Sequence, residues 1–311
     1  MDLGLVTFAD LPAGVSPEQR MRNLLEEARL ADELGLELFA VGEHHRPDYL
    51  VSSPATALAA IAAQTSRIRL SSAVTVLSSD DPVRVFQQFA HVDLISGGRA
   101  EIMAGRGSFI ESFPLFGYEL DDYDELFDEK LELLLAIRDS ERVTWHGKHR
   151  APLEDVAVWP RPVQDPLPIW IGGTQPRVMR IAAKYAHWFN LSNPGTPATE
   201  RLGILRDDVN EACRAVGRDP ATLHRSMFVQ LLAAPTRAEV DETVAALAAR
   251  AKVTAEKWRA SRPGYILGTT DEVGEKLRAL ARGGVEHANA MLPYQHEIAS
   301  IRALAQVARA L

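Results

Sequence analysis

Apolar residues along the chain fall into two alternating rhythms: short strand-like runs, and longer stretches with three- and four-residue spacing. Leu3 to Phe8 is the first short run. After it, Ser16-Pro17-Glu18-Gln19 offers an N-cap, a proline at the first helical position and a capping-box glutamine. Met21, Leu24, Leu25, Ala28, Ala31 and Leu34 then line one helical face, and Gly35 ends the helix. Leu36 to Val41 reads as a second strand, covered on both faces and closed by Gly42. The same grammar predicts a helix from Ser53-Pro54 to about Thr65 and a strand from Ile68 to Val76. A third helix opens at Asp81-Pro82 and stops at Gly97-Gly98, and a fourth strand runs from Arg99 to Ala104.

The regularity loosens from Gly105 to Pro166, where a polar and aromatic loop precedes a helix at roughly Asp122 to Arg138. A small hairpin pairs Val143-Thr144-Trp145 with Val156-Ala157-Val158. Alternation resumes with strand Pro168 to Ile171, helix Pro176 to Tyr185, strand His187 to Leu191, helix Thr199 to Val216 and strand Met227 to Ala233. A Thr236-to-Glu239 capping box opens a helix from Arg237 to about Lys252. An insert from Trp258-Arg259 to Gly264-Tyr265, helix Asp271 to Arg282, strand His287 to Leu292 and helix Gln295 to Ala310 complete the chain. Eight strands, each followed by helix, predict an α/β fold: a single (β/α)₈ TIM barrel over residues 1–311, with inserts after strands four and seven. Those inserts lie on the catalytic face, as a lid or as plain elaborations.

Charge narrows the range of partners. A net charge of -8 gives no basic footprint for nucleic acid or an anionic membrane, so a small molecule is the expected partner. Cys213 is the only cysteine; no internal disulfide is possible, which points to a reducing, cytoplasmic compartment. It falls on the apolar side of its helix and reads as core. No apolar run is long enough to span a bilayer.

Candidate chemistry gathers at strand ends. Glu43, His44 and His45 follow strand two directly, but neighbouring residues point to opposite faces and no His-Glu-x-x-His helix is present, so no metal centre is expected. His44 suits a general base or hydrogen-bond donor; the plainer alternative is a structural pair tied to backbone carbonyls. Gly105-Arg106-Gly107 after strand four joins small residues to a guanidinium, as an anion cradle does. Ile110 stands where a dinucleotide fingerprint needs its last glycine. Gly172-Gly173-Thr174 after strand five repeats the theme at a helix start that carries Arg177 in its first turn. Tight turns would look the same at either place, yet two such loops on consecutive strands favour a phosphate-bearing ligand. The small side chains of Ser71-Ser72-Ala73-Val74 would leave room for a flat ring against the barrel mouth, and they are equally ordinary packing.

Taken in order, EHHRP, SSAVTVL followed by DPVR, ISGGRAEIMAGRGSF, and PIWIGGT resemble the luciferase-like flavin-dependent monooxygenase family over nearly the whole chain. The resemblance implies a (β/α)₈ barrel that binds reduced flavin mononucleotide (FMN) or, in one branch, a deazaflavin, frequently as a homodimer. It implies that His44 works beside the flavin and that Ser72-Ala73 forms a non-proline cis peptide under the ring. Arg106 with Gly107, and Gly172-Gly173-Thr174 with Arg177, then hold the phosphate. Gly105 replaces the reactive cysteine of the luciferase catalytic subunit, which implies no light emission. The implied reaction passes oxygen to an organic substrate under a cover that includes Phe109, Phe113, Trp258 and Tyr265, with a separate reductase supplying the flavin. The alternatives are deazaflavin-dependent hydride transfer and a non-catalytic flavin-binding partner subunit.

Overall fold

A computed structural model describes residues 1–107, 109–192, 195–293 and 298–311. The strands are β1 (Asp2–Thr7), β2 (Leu38–Val41), β3 (Arg69–Ser72), β4 (Thr75–Val76), β5 (Ala100–Gly105), β6 (Arg142–Trp145), β7 (Leu153–Ala157), β8 (Ile169–Gly172), β9 (Trp188–Leu191), β10 (His224–Ala234), β11 (Tyr265–Thr269) and β12 (His287–Met291). The α-helices are α1 (Pro17–Leu34), α2 (Pro54–Ala62), α3 (Pro82–Ser96), α4 (Ser112–Phe116), α5 (Tyr123–Asp139), α6 (Pro176–Tyr185), α7 (Val209–Ala215), α8 (Arg237–Arg250), α9 (Ala255–Ala260), α10 (Thr270–Arg282) and α11 (Ile298–Arg309).

β1, β2, β3, β5, β8, β9, β10 and β12 pair in parallel and close on themselves through β9 with β10 and β12 with β1, making the predicted eight-stranded barrel. Between barrel strands four and five lie α4, α5 and the antiparallel β6–β7 hairpin; between seven and eight lie α8, α9, β11 and α10. Both inserts therefore occupy the predicted places. Apolar faces of the helices close over the outside of the barrel in one continuous core that includes Leu24, Phe89, Leu134, Met179, Leu277 and Leu304.

Several local features depart from expectation. The stretch Ile68 to Val76 is not one strand. β3 pairs with β5 at Leu70↔Ala100 and β4 pairs with it at Thr75↔Ala104, so one extra residue is taken up between them. Ser72 repairs the gap: its hydroxyl donates to the Met103 carbonyl (3.1 Å) and accepts from the Met103 amide (3.2 Å). The expected helix Thr199 to Val216 is a relay of 3₁₀ turn (Ala198–Arg201), π turn (Ile204–Asp208) and α7. The insert after strand seven contains a further parallel strand, β11, paired with the outer half of β10. Trp258 and Tyr265 pack edge to face in that satellite with Val240 and Val244, not over the barrel mouth, which removes them from the cover. The expected helix start at Gln295 lies outside the described residues.

Two buried aspartates lock helices to the sheet. Asp32, near the end of α1, accepts from the amides of Ser66 (3.0 Å), Arg67 (2.9 Å) and Ile68 (2.7 Å), which sets the entry to β3 and holds its carboxyl below the usual range despite burial. Asp93 of α3 likewise accepts from the amides of Ala100 (3.1 Å) and Gln164 (2.9 Å). Asp32→Ala leaves three amides without their acceptor, and the expected loss is about 3 kcal/mol in urea unfolding. The cost falls on acidification as the carboxylate is protonated in the parent protein.

Candidate functional site

A cavity of about 510 Å³ opens at the carboxyl ends of the barrel strands. Every barrel strand or the loop just beyond it contributes: Phe8, His44, Ala73, Met103, Gly172, Asn190, Phe228 and Asn289 each come from a different one. The site follows from this topology. β2, β3, β5 and β8 are consecutive neighbours, so His44, the 73–74 wall, Arg106-Gly107 and Gly172-Gly173-Thr174 lie in that order around one rim.

Glycine permits the close approaches. A Cβ at Gly42 would lie 2.8 Å from Phe8 and 3.2 Å from the His44 ring. At Gly105 it would lie 2.7 Å from Val74 Cγ2, and at Gly107, where φ is +78°, 2.9 Å from Val76 Cγ1. Gly173 is similar, with Val178 Cγ1 2.9 Å away. The cis peptide is Ala73–Val74, one bond later than the expected Ser72-Ala73. Ser72 is spent inside the wall on Met103, whereas Ala73 and Val74 line the cavity.

Glu43 and His45 have positioning roles that the sequence did not reveal. One Glu43 oxygen accepts from the Val76 amide (2.9 Å) and the other meets His45 Nε2 (3.0 Å), joining the β2 and β4 loops. His44 turns the other way, as alternation requires. Its ring sits among Phe8 (5.0 Å between centroids), Tyr49 (4.2 Å) and Phe109 (5.2 Å), and Nε2 is buried without a partner among the described residues. Burial in this aromatic setting pushes the imidazole down to about 4, against a smaller opposing pull from Asp48. It is neutral near pH 7 and free to give or take a hydrogen bond. Phe109 thus shelters His44, while Phe113 is fully buried against Tyr123 beneath that loop.

The arginines form a second cluster. Arg106 pairs with Asp124 and its guanidinium stands 4.8 Å over the Tyr123 ring, while Tyr123 donates its hydroxyl to the Gly107 carbonyl. Arg177 does not line the cavity. It reaches α5 instead, meeting Asp124 (2.9 Å) and Asp128. Gly172-Gly173-Thr174 and Gln175 line the cavity immediately before Pro176 opens α6, so the helix's positive end faces it. An apolar wall, amides beside glycine and a guanidinium in one cavity fit a planar ring with a phosphate tail.

The barrel interior below is polar in a way the sequence reading missed. Asn190 Oδ1 accepts from Asn289 Nδ2 (3.0 Å) and Ser226 Oγ (2.9 Å), and His287 lies under them against Trp170. Period-two alternation in β9, β10 and β12 could have flagged these inward positions. Asp122, Glu125 and His149 make a small carboxylate–imidazole group elsewhere, but the Lys148 ammonium already sits 2.8 Å from Glu125.

The family model described as luciferase-like monooxygenase matches residues 1–287. The chain is 31% identical over 223 residues to an F420-dependent glucose-6-phosphate dehydrogenase of Amycolatopsis mediterranei, covering 68% of this chain and 65% of that protein. It spans less than two thirds of the length of the first curated relatives it matches. Among solved structures, monooxygenase RslO1 from Streptomyces bottropensis superposes with a TM-score of 0.86 at 24% identity, covering 100% of this chain and 98% of that one. The oxygenating constituent of 3,6-diketocamphane monooxygenase of Pseudomonas putida, solved with FMN, gives a TM-score of 0.83 at 17% identity over 100% and 98%. At these identities the two structures attest the shared fold.

Burial holds His287 down to about 3, with Arg69 adding to the effect. Its folded-state value is below the unfolded one, so the unfolded chain takes up a proton that the folded chain refuses. Stability is therefore complete above pH 6.5 and falls as pH drops toward 3, at about 1.4 kcal/mol per pH unit for one proton. Denaturation midpoints measured across that window should lose this slope in His287→Asn.

Proposed function

The chain belongs to the luciferase-like monooxygenase family, and from that premise we propose a specific chemistry: oxidation of a small organic molecule with reduced FMN and oxygen, without light emission. The observation that carries this reading is the convergence of Arg106, Gly107 and the Gly172-Gly173-Thr174 loop on the same cavity as an unpartnered, neutral His44. In this reading Arg106 and the amides of Gly107 and Thr174 hold the phosphate, with Gly173 giving it room, and the α6 dipole adds to their pull. Arg177 acts one layer out, by steadying Asp124. Ala73 and Val74 support the ring, and Ser72 fixes the wall behind them.

Bound reduced flavin supplies the electron pair and the reactivity toward oxygen. The chain's own residues bind, orient and dry the site. Val6, Phe8, Phe228 and Met291 line it with apolar surface that keeps water from the reacting atoms. His44, neutral at working pH, gives or receives the proton that oxygen transfer requires. No nicotinamide fingerprint is present in the sequence, so a separate reductase supplies the flavin. Exposed Leu94, Ile95, Trp159 and Val163 provide apolar surface for a homodimer, and the lone cysteine favours the cytoplasm.

A deazaflavin coenzyme is the second reading, favoured by the resemblance to the Amycolatopsis dehydrogenase. Titration with each cofactor separates the two.

Arg106→Ala should weaken FMN by about 10- to 100-fold while changing riboflavin affinity little, since only FMN carries the phosphate. Equal losses for both would remove the assignment. His44→Ala should leave FMN affinity intact and slow substrate oxidation by about 100-fold; an unchanged rate would make His44 part of the scaffold.

A further inference from the structure

Behind His44, on the side away from the large cavity, the structure encloses a second void of about 10 Å³. The two spaces share Glu43, His44, Val76 and Gly107 as a common partition. The small one is closed on its far side by Phe109, Glu111 and Ser112. Its size is that of a single water, and what matters is whether its lining is polar enough to hold one.

Two buried polar groups that line it lack partners among the described residues, Glu111 at Oε2 and Ser112 at Oγ, and the His44 ring forms part of its wall while its unpartnered Nε2 lies near Gly42 on the large-cavity side. Both oxygens of Glu43 already have partners, Val76 and His45. Glu111 straddles the wall. Its Oε1 reaches outward to Arg46 Nη1 at 3.1 Å, in a bridge about one third exposed, while Oε2 is enclosed. Arg46 also binds Asp48 (2.9 Å) and lies 4.7 Å over the Phe109 ring, so the outer end of this arrangement is fixed. An acceptor and a hydroxyl left buried and unpaired destabilise the fold, and a bridging water supplies the partners that both lack.

We propose that the small void holds one ordered water bonded to Glu111 Oε2, Ser112 Oγ and the His44 ring, and that this water is the route by which His44 exchanges its proton with solvent. When the ring carries an added proton, its N–H bond breaks toward the water as the water passes a proton to Glu111. The ring returns to neutral, the water is regenerated and Glu111 becomes a carboxylic acid. The carboxyl group then turns to bring its protonated oxygen to the exposed edge beside Arg46, where the O–H bond breaks and the proton passes to bulk water, leaving the carboxylate. The reverse sequence loads the ring. Glu111 and Ser112 are positioning residues here, since they act through the water and touch no reacting atom.

The assignment of His44 as the catalytic proton carrier comes from the proposed function; the water and its route are a separate claim with their own test. The first measurement is a high-resolution crystal structure of the wild-type chain, expected to show one ordered water between Glu111 and Ser112. A dry void overturns the proposal. The second uses the wild-type chain with histidines labelled by heavy nitrogen, in which the His44 ring N–H exchange rate is read by NMR after assignment with His44→Asn. Glu111→Gln should slow that exchange at least about ten-fold, and Glu111→Asp should recover part of it. Arg46→Ala breaks the bridge but keeps the carboxylate, so exchange should stay fast; slowing equal to that of Glu111→Gln would make Glu111 merely structural and overturn the relay. FMN affinity, measured alongside, should be unchanged in all three variants. Failure of the wild-type chain to bind FMN would defeat the proposed function and leave the exchange result standing.

Discussion

The cavity depends on one buried carboxylate. Glu43 sits at the end of β2 with one oxygen on the Val76 amide and the other on His45, so two rim loops are joined by a group that cannot be removed without stranding both partners. This tie fixes where β4 resumes after the irregular 73–74 stretch, and thereby where Val74 meets Gly105. It also sets the direction of the intervening residue. Because Glu43 and His45 are both held on one side, His44 is delivered to the other, among aromatic rings that keep it neutral. A single acid thus determines the wall, the histidine and the space between them.

The lower half of the barrel is closed by a different device. Trp170 and Trp188 stack at 4.6 Å, Trp170 donates to buried Glu101 (2.7 Å), and Arg69 pairs with that same carboxylate from the start of β3. Large rings and a paired charge fill the interior there, so the open volume is confined to the carboxyl ends of the strands. Asn190, Asn289 and Ser226 form the boundary between the filled half and the open one. Their hydrogen bonds hold the floor level while apolar Met103 and Phe228 face upward.

Much of this was legible from the chain alone. The eight barrel strands announce themselves because each is an apolar run ended by glycine, proline or a charged cluster, and the helix caps at Ser16, Asp81 and Thr236 behave as their residue types predict. Gly107 and Gly173 were readable as places of close approach. Other features are invisible to local pattern. Nothing in SSAV states which bond is cis, since that depends on a one-residue slip against β5 and on Ser72 filling the resulting gap. Tyr265-Ile266-Leu267 escaped notice as a strand because the barrel is complete without it, and Trp258 was misplaced for the same reason. Arg177 occupies the expected helical turn, but its long side chain follows the acids of α5, which lie about 50 residues earlier in sequence.

β10 has an architectural consequence of its own. It is a single beam of 11 residues that serves two structures, with its first half in the barrel wall and its second half carrying β11 and the packed satellite of α8 and α9. Gln230 lies at the junction, registered against Met291 on one side and Tyr265 on the other while its own side chain borders the cavity. The satellite is therefore cantilevered from the chamber wall, and a load applied at its outer edge is borne at Gln230. Sequence drift in that distant outrigger has a mechanical path to the shape of the chamber that does not pass through any residue touching its contents.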